Sequence, residues 1–331
     1  MKYFTKLFYV IGFLLFFVTF SFAIYFAEKM NDFRVSAAKE KVPSYKYHFV
    51  LVPEEVDNNY WRLIEKGARD AANQFGIELE YVGPKQGNID EHLKTLEMAA
   101  AAKVDGIISQ GLTEKQFTPL INKLVKNGTP IITIDTDAEN SNRNSYVGTN
   151  NYYAGFIAGQ ALLKDTSGIV NVAIITGSFH SINQKMRMNG FKAAVKGEER
   201  VRIIAIEESK ISQIRAAEKT YQILEKYPQV NAIFGTSALD GIGIANSVTL
   251  LNRVEGMYII GFDTLDETLA AMKKGIIDAT VTQEPYEMGH RSVELMIKII
   301  EGKKVPTTNY TNTDVIHKED ITADMKEDTV K

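Results

Sequence analysis

Not one cysteine occurs among the 331 residues. That excludes disulfides, thiolate metal sites, cysteine nucleophiles and a lipid-modified amino-terminal cysteine together. Tryptophan occurs once, at Trp61. A surplus of charge is missing too: the formal net charge is −3, so nothing points to a nucleic-acid partner. There is no GxxxxGK[ST] phosphate loop and no HExxH. The five histidines, His48, His92, His180, His290 and His317, lack metal-ligand spacing. Gly241-Ile242-Gly243 follows helical rather than strand-like sequence, which makes it a poor dinucleotide fingerprint. No cofactor or metal is expected. No low-complexity segment or sequence-level repeat is visible.

What is present begins with Leu7–Phe26, a run of 20 residues without charge. At 1.5 Å per helical residue it spans roughly 30 Å, the thickness of a bilayer core. Lys2 and Lys6 precede it and place the amino terminus inside. An uncleaved anchor and a cleavable signal ending near Ser21-Phe22-Ala23 both fit. The run exceeds the usual signal core, which favours the anchor. Residues 1–26 are thus read as anchor or signal and 27–45 as a polar stalk at the cell membrane, with everything beyond extracytoplasmic.

From Tyr47 a rhythm starts. Short β-rich runs at 47–52, 77–82, 106–109, 130–134, 169–175, 202–206, 232–235, 257–261 and 278–282 alternate with amphipathic helical stretches. That is the pattern of buried parallel strands in βαβ units. Gly76 and Gly128 mark helix ends before the next strand. One open nine-stranded sheet is compatible with this rhythm, and two lobes fit it better. The break at Asn140–Thr149, around Tyr146-Val147-Gly148, reads as a crossing between lobes. The expected fold class is α/β, two doubly wound parallel-sheet lobes joined by a hinge and preceded by one transmembrane helix. Residues 46–149 plus 284–312 make the first lobe and 150–283 plus 313–320 the second. The charged stretch from Lys318, and 321–331 in particular, is expected to be an unstructured tail.

Ligands in doubly wound sheets bind beyond the carboxyl ends of the strands, and those ends are polar here. Glu54, Asn58, Tyr60 and Trp61 follow the first strand; Asp135, Thr136 and Asp137 follow IITI; Phe179, His180 and Arg187 follow VAIITG. Ser237 follows AIFG, Asp263 follows YIIGF and Gln283 follows ATVT. Aromatic rings offer flat apolar faces for the C–H face of a pyranose, while Asp, Asn, Gln and Arg suit vicinal hydroxyls. Each has a plainer reading: Trp61 as core packing, Asp135 and Asp263 as helix N-caps, His48 as a structural strand residue.

Together NNYWRLIEKGARDAA, PIITIDTD, VGTNNYYAGFIAG, RMNGFKAA, NAIFGTS, YIIGFDT and ATVTQEPYEMG resemble the type I periplasmic sugar-binding proteins, nearest the ribose- and galactose-binding group. The resemblance covers about residues 46–317. It implies ligand contacts from Asn58, Tyr60, Trp61, Asp135, Arg187, Asp263 and Gln283. Departures stand at Glu54, where a small polar residue is usual, at Thr136 in place of arginine, and at Ser237 in place of asparagine. No second-lobe aromatic is matched near Lys210-Ile211, and Phe179 is the expected substitute. These departures point away from ribose itself.

Glu54, Asp135, Asp137 and Asp263 face one clear cation, Arg187, so the ligand is expected to be neutral or cationic and not phosphorylated. A glycosidase using Asp135 and Asp263 is the enzymatic alternative, and the resemblance argues against it. A DNA-binding regulator would carry a helix-turn-helix where this chain has its apolar run. Two roles remain among binding proteins: sensing for a membrane histidine kinase and delivery to an ABC permease. The membrane segment, with Gly12 offering close helix packing, favours sensing.

Overall fold

A computed structural model describes residues 2–39 and 45–321. Helix α1 (Lys2–Lys39) belongs to a unit of its own, Met1–Tyr45. It holds one stretch, Val10–Met30, long and apolar enough to cross a membrane, and an amino-terminal secretion signal has the same composition. The helix continues through most of the expected stalk; 40–44 lie outside the described residues.

The second unit, Lys46–Lys331, contains the α/β rhythm. Its first part runs β1 (His48–Val52), α2 (Asn59–Phe75), β2 (Glu78–Tyr81), α3 (Ile89–Ala101), β3 (Gly106–Ser109), α4 (Glu114–Lys126), β4 (Ile131–Ile134) and β5 (Ser145–Gly148). The next part runs α5 (Asn151–Asp165), β6 (Val170–Thr176), α6 (Ile182–Ala194), β7 (Val201–Glu208), α7 (Gln213–Lys226) and β8 (Ala232–Gly235). It ends with α8 (Ala238–Leu250), β9 (Tyr258–Phe262), α9 (Asp266–Lys273) and β10 (Ala279–Val281). Then follow α10 (Pro285–Ile300), β11 (Thr308–Tyr310), β12 (Val315–His317) and a 3-10 turn at Lys318–Asp320.

Two six-stranded sheets result, in the orders β11-β5-β4-β3-β1-β2 and β12-β10-β9-β8-β6-β7. The second repeats the first position for position. The one difference is at the edge, where β11 runs parallel to β5 and β12 antiparallel to β10. No repeat is visible in the letters because only backbone connectivity and a few side chains repeat. Period-2 alternation sends Phe49, Leu51, Ile132 and Ile134 to one face of the first sheet, and Val50, Val52, Ile107 and Ile131 to the other. The second sheet divides likewise, Val172 and Ile174 against Ala173 and Ile175. Helices therefore cover both faces of both sheets.

The repeat extends to helix packing. A Cβ on Gly67 of α2 would lie 1.9 Å from the Tyr286 carbonyl oxygen, and one on Gly289 of α10 would lie 2.0 Å from that of Ile64. In the other lobe a Cβ on Gly190 of α6 would lie 2.0 Å from the Tyr152 oxygen, and one on Gly155 of α5 1.8 Å from that of Arg187. Each lobe thus clamps two helices backbone to backbone through reciprocal glycines. In each clamp one helix, α10 or α5, has just crossed from the other lobe.

Three differences from the sequence reading stand out. Strands β11 and β12 were not foreseen: each is a three-residue edge strand, too short for a period to show. Asp135 and Asp263 are not N-caps; both are left-handed, at φ 62° and 67°. The tail begins later than expected, since the 3-10 turn is ordered and Ile321 packs on the cluster containing Ile316 and Leu269. The expectation for the remaining tail falls on 322–331, outside the described residues.

Candidate functional site

The strands of both sheets run parallel apart from β12, so their carboxyl ends face one cleft. The two aspartates are set there by matching devices. The Asp135 N–H donates to Val147 O of β5 at 3.0 Å, and the Asp263 N–H to Val281 O of β10 at 2.8 Å. Their carbonyls accept from Tyr146 Oη at 2.8 Å and Thr280 Oγ1 at 2.9 Å. Aspartate tolerates the left-handed region better than most residues. The bend turns each carboxylate off its strand end and into the cleft.

Asp135 is 4% exposed and saturated with donors. Oδ1 accepts from Tyr60 Oη at 2.7 Å, and Oδ2 from Gln110 Nε2 at 2.8 Å, Thr136 Oγ1 at 3.0 Å and Asn183 Nδ2 at 3.2 Å. Tyr60 and Asn183 occupy matching positions, each seven residues before the clamp glycine of its helix, Gly67 or Gly190. One reaches Asp135 from its own lobe and the other from across the cleft. Burial beside Asp135 and Asp263 pushes the Tyr60 phenol well above its ordinary range, so it remains a donor.

Arg187 stands where the repeat places Ile64 in the first lobe, three residues before the clamp glycine. It is 2% exposed. Nε donates to Asn151 Oδ1 at 2.7 Å, Nη1 to Thr236 O at 2.9 Å and Nη2 to Gln283 Oε1 at 2.7 Å, and the guanidinium lies 3.9 Å from the Phe262 ring centroid. Gln283 passes the network on: Nε2 donates to Asp263 Oδ1 at 2.7 Å, and Oε1 also accepts from Thr149 Oγ1 at 2.7 Å. Thr149 and Gln283 sit on two of the strand-to-helix crossings between lobes. The same network therefore lines the cleft and ties the hinge.

Burial raises the Asp263 carboxyl to about 6, against the opposing pull of Arg187. Glu54 keeps some contact with solvent, yet desolvation in the cleft, with Glu55 and Asp135 beside it, raises its carboxyl to about 8. At neutral pH Glu54 is therefore mostly protonated and able to donate.

Of the expected residues, Glu54, Asn58, Tyr60, Trp61, Asp135, Arg187, Ser237, Asp263 and Gln283 line the inner cavity. Trp61 also packs in the first-lobe core, so its plain and functional readings hold together. Asn58 both lines the cavity and caps α2 through the Tyr60 N–H. Thr136, Asp137 and Phe179 do not line it. Thr136 stands behind Asp135 as a donor. Asp137 is taken up by Arg143, on a bidentate fork, and by Thr133 at 2.7 Å. It therefore leaves the set of acids facing Arg187. Phe179 is 41% exposed, and Ile211 with Leu239 supplies the apolar second-lobe wall instead.

Sequence reasoning missed Gln110, Asn183 and Gln184, which line the cavity. Gln110 follows strand GIIS and was legible as one more polar strand end; its Oε1 is buried without a protein partner. Asn183 and Gln184 lie one turn before Arg187, and only the helix geometry aims them inward. His180 lies farther out, in a wider vestibule. Among the described residues no cluster of three or more His, Asp or Glu is placed to hold a metal.

Residues 49–304 match the periplasmic binding protein domain. The chain belongs to that family, in its sugar-binding branch. Its fold is similar to GanP, described as a glucose-galactose binding protein from Geobacillus stearothermophilus, at 58% identity and a TM-score of 0.81 over 83% of this chain and 98% of that one. It is similar to XylFII in the XylFII–LytSN complex, at 39% identity and TM-score 0.80 over 83% and 99% of the two chains. It is also similar to a sugar-binding protein of a sugar ABC transporter from Bacillus halodurans, at 31% identity and TM-score 0.74 over 82% and 98%. The family's members are extracytoplasmic binding proteins rather than enzymes, which removes the reading of Asp135 and Asp263 as a hydrolytic pair.

Proposed function

We propose that this protein binds a neutral monosaccharide, with glucose and galactose the first candidates, between its two lobes, and that the closed, loaded state signals to a membrane histidine kinase. The observation that carries the sugar reading is the cavity itself. Tyr60 and Trp61 stand on the first-lobe side, Ile211 and Leu239 on the second, and carboxylates, amides and Arg187 lie between them. Apolar walls suit the C–H faces of a sugar ring, and planar polar groups suit its hydroxyls. The 58% identity to GanP supports glucose and galactose. Asp135 and Asp263 oppose Arg187, so a phosphorylated sugar would meet two carboxylates in a poorly solvated cleft.

The inner cavity measures about 50 Å³, room for roughly four waters. A sugar ring needs more, so the lobes part to admit it and close upon it. Closure is favoured because contacts from both walls form together only then. The sensing role draws on the likeness to XylFII, found in complex with LytSN, and on Val10–Met30 as a membrane segment. Delivery to an ABC permease is the second reading, favoured by the likeness to the Bacillus halodurans transporter component. Titration calorimetry of the full chain in detergent should give saturable binding of glucose or galactose; no heat with either would reject the ligand. Deleting the gene separates the roles. Sensing requires loss of sugar-dependent induction with uptake intact, and delivery requires the reverse.

A further inference from the structure

The inner cavity adjoins a much larger vestibule of about 950 Å³. The two spaces share four lining residues, Glu54 and Glu55 of the first lobe and Ile211 and Leu239 of the second, so the boundary between them, or neck, lies at these residues. Of the four, Ile211 alone has a left-handed backbone. Lys210 and Ile211 are both left-handed, at φ 56° and 52°. A β-branched residue there is an outlier that persists only where its surroundings over-determine it.

Those surroundings are on hand. The Ser209 N–H donates to Thr176 O at 2.8 Å, and the Ile211 N–H to Gly177 O at 3.0 Å. Ser209 Oγ donates to buried Asp240 at 2.6 Å. A Cβ on Gly177 would come within 3.0 Å of Ile211 Cγ1, so glycine there leaves the isoleucine its place. The turn is thus bent against its intrinsic preference, and the result is an apolar branched side chain fixed at the neck.

We propose that Ile211 is a size-selecting residue: it blocks the passage from cavity to vestibule, so the site takes single sugar rings and rejects a ring that continues into a second one. This rests on the sugar reading above. The vestibule has room for a second ring, so the barrier is the neck rather than the space beyond it.

The test is calorimetry on the full chain in detergent, with glucose, galactose and the 1→4- and 1→6-linked disaccharides built from them. Between them these disaccharides offer the neck a substituent at C1, C4 or C6. The wild type should bind its monosaccharide more than about tenfold tighter than any disaccharide, and Ile211→Ala should narrow that ratio about fivefold or more. Ile211→Val, which keeps the β-branch, should narrow it less and serves if the alanine variant does not fold. A merely structural role would weaken both ligand classes together and leave the ratio unchanged. A ratio within about twofold of wild type in the smaller variant that folds overturns the proposal, as does wild-type protein that already binds disaccharides equally well. If the wild type binds no monosaccharide, the sugar reading falls and takes this one with it.

Discussion

Asp240 shows how much a single buried group can set. It is 0% exposed, accepts from Ser209 Oγ at 2.6 Å and the Ser237 N–H at 2.9 Å, and burial still lifts its carboxyl to about 6 from 3.8. Between those values the folded protein holds a proton that the unfolded chain releases. Stability from this group is therefore full below about pH 4 and is lost as pH rises through about 6, roughly 3 kcal/mol in all. Asp263 acts in the same direction. Asp240→Asn keeps an acceptor and removes the titration, so it should gain on the wild type between pH 4 and pH 8. Urea unfolding at the two pH values checks this, and an unchanged difference would refute it. Arg187 presents the opposite case, a cation whose Nε, Nη1 and Nη2 each donate to an acceptor and whose guanidinium lies over an aromatic face. Lysine cannot reproduce that planar fork. Arg187→Lys should cost about 2–4 kcal/mol in denaturant unfolding and weaken sugar binding as well.

At the scale of elements, the reciprocal glycine clamps decide where functional side chains point. Helix α6 carries Asn183, Gln184 and Arg187, and its distance from α5 is set by Gly155 and Gly190. Gly155→Ala would place a methyl 1.8 Å from the Arg187 carbonyl oxygen, so the helices must separate. The expected loss is at least about 2 kcal/mol. Because the residue at that contact is Arg187, sugar affinity should fall in parallel. Stability lost with affinity intact would separate the clamp from the site. The long strands were readable from their apolar runs, and the helices from their period and caps. Strands β11 and β12 were not, because three residues at a sheet edge carry no period and their pairing partners lie far away in sequence.

At the scale of the molecule, two lobes of the same strand order share one cleft, and the crossings between them carry Thr149 and Gln283, which belong to the hydrogen-bond network that lines it. Hinge and cleft are therefore coupled by contact. Sugar at a hundredfold over its dissociation constant should stabilise the fold by about 2.7 kcal/mol, readable as a thermal shift. A sugar phosphate should give a smaller shift than its parent sugar; a larger one would mean that the charge balance around Arg187 has been misjudged.

The sequence by itself determined the α/β class, the two-lobe division as an expectation, and most of the polar strand ends, Asp135, Arg187, Asp263 and Gln283 among them. These follow from local pattern, since a strand end and the residue after it are adjacent in the chain. Only the tertiary structure decided which polar groups are free to meet a ligand. Asp137 follows the same strand as Asp135, yet Arg143 and Thr133 consume it. Phe179 has the right chemistry and the wrong direction, while Ile211 reaches the cavity from a turn that its own residue type disfavours. The internal repeat also emerged only in three dimensions, because backbone connectivity repeats while most side chains do not, so Ile64 in one lobe answers to Arg187 in the other. Proximity, burial and competition for hydrogen bonds are properties of pairs distant in sequence, and no window along the chain contains them.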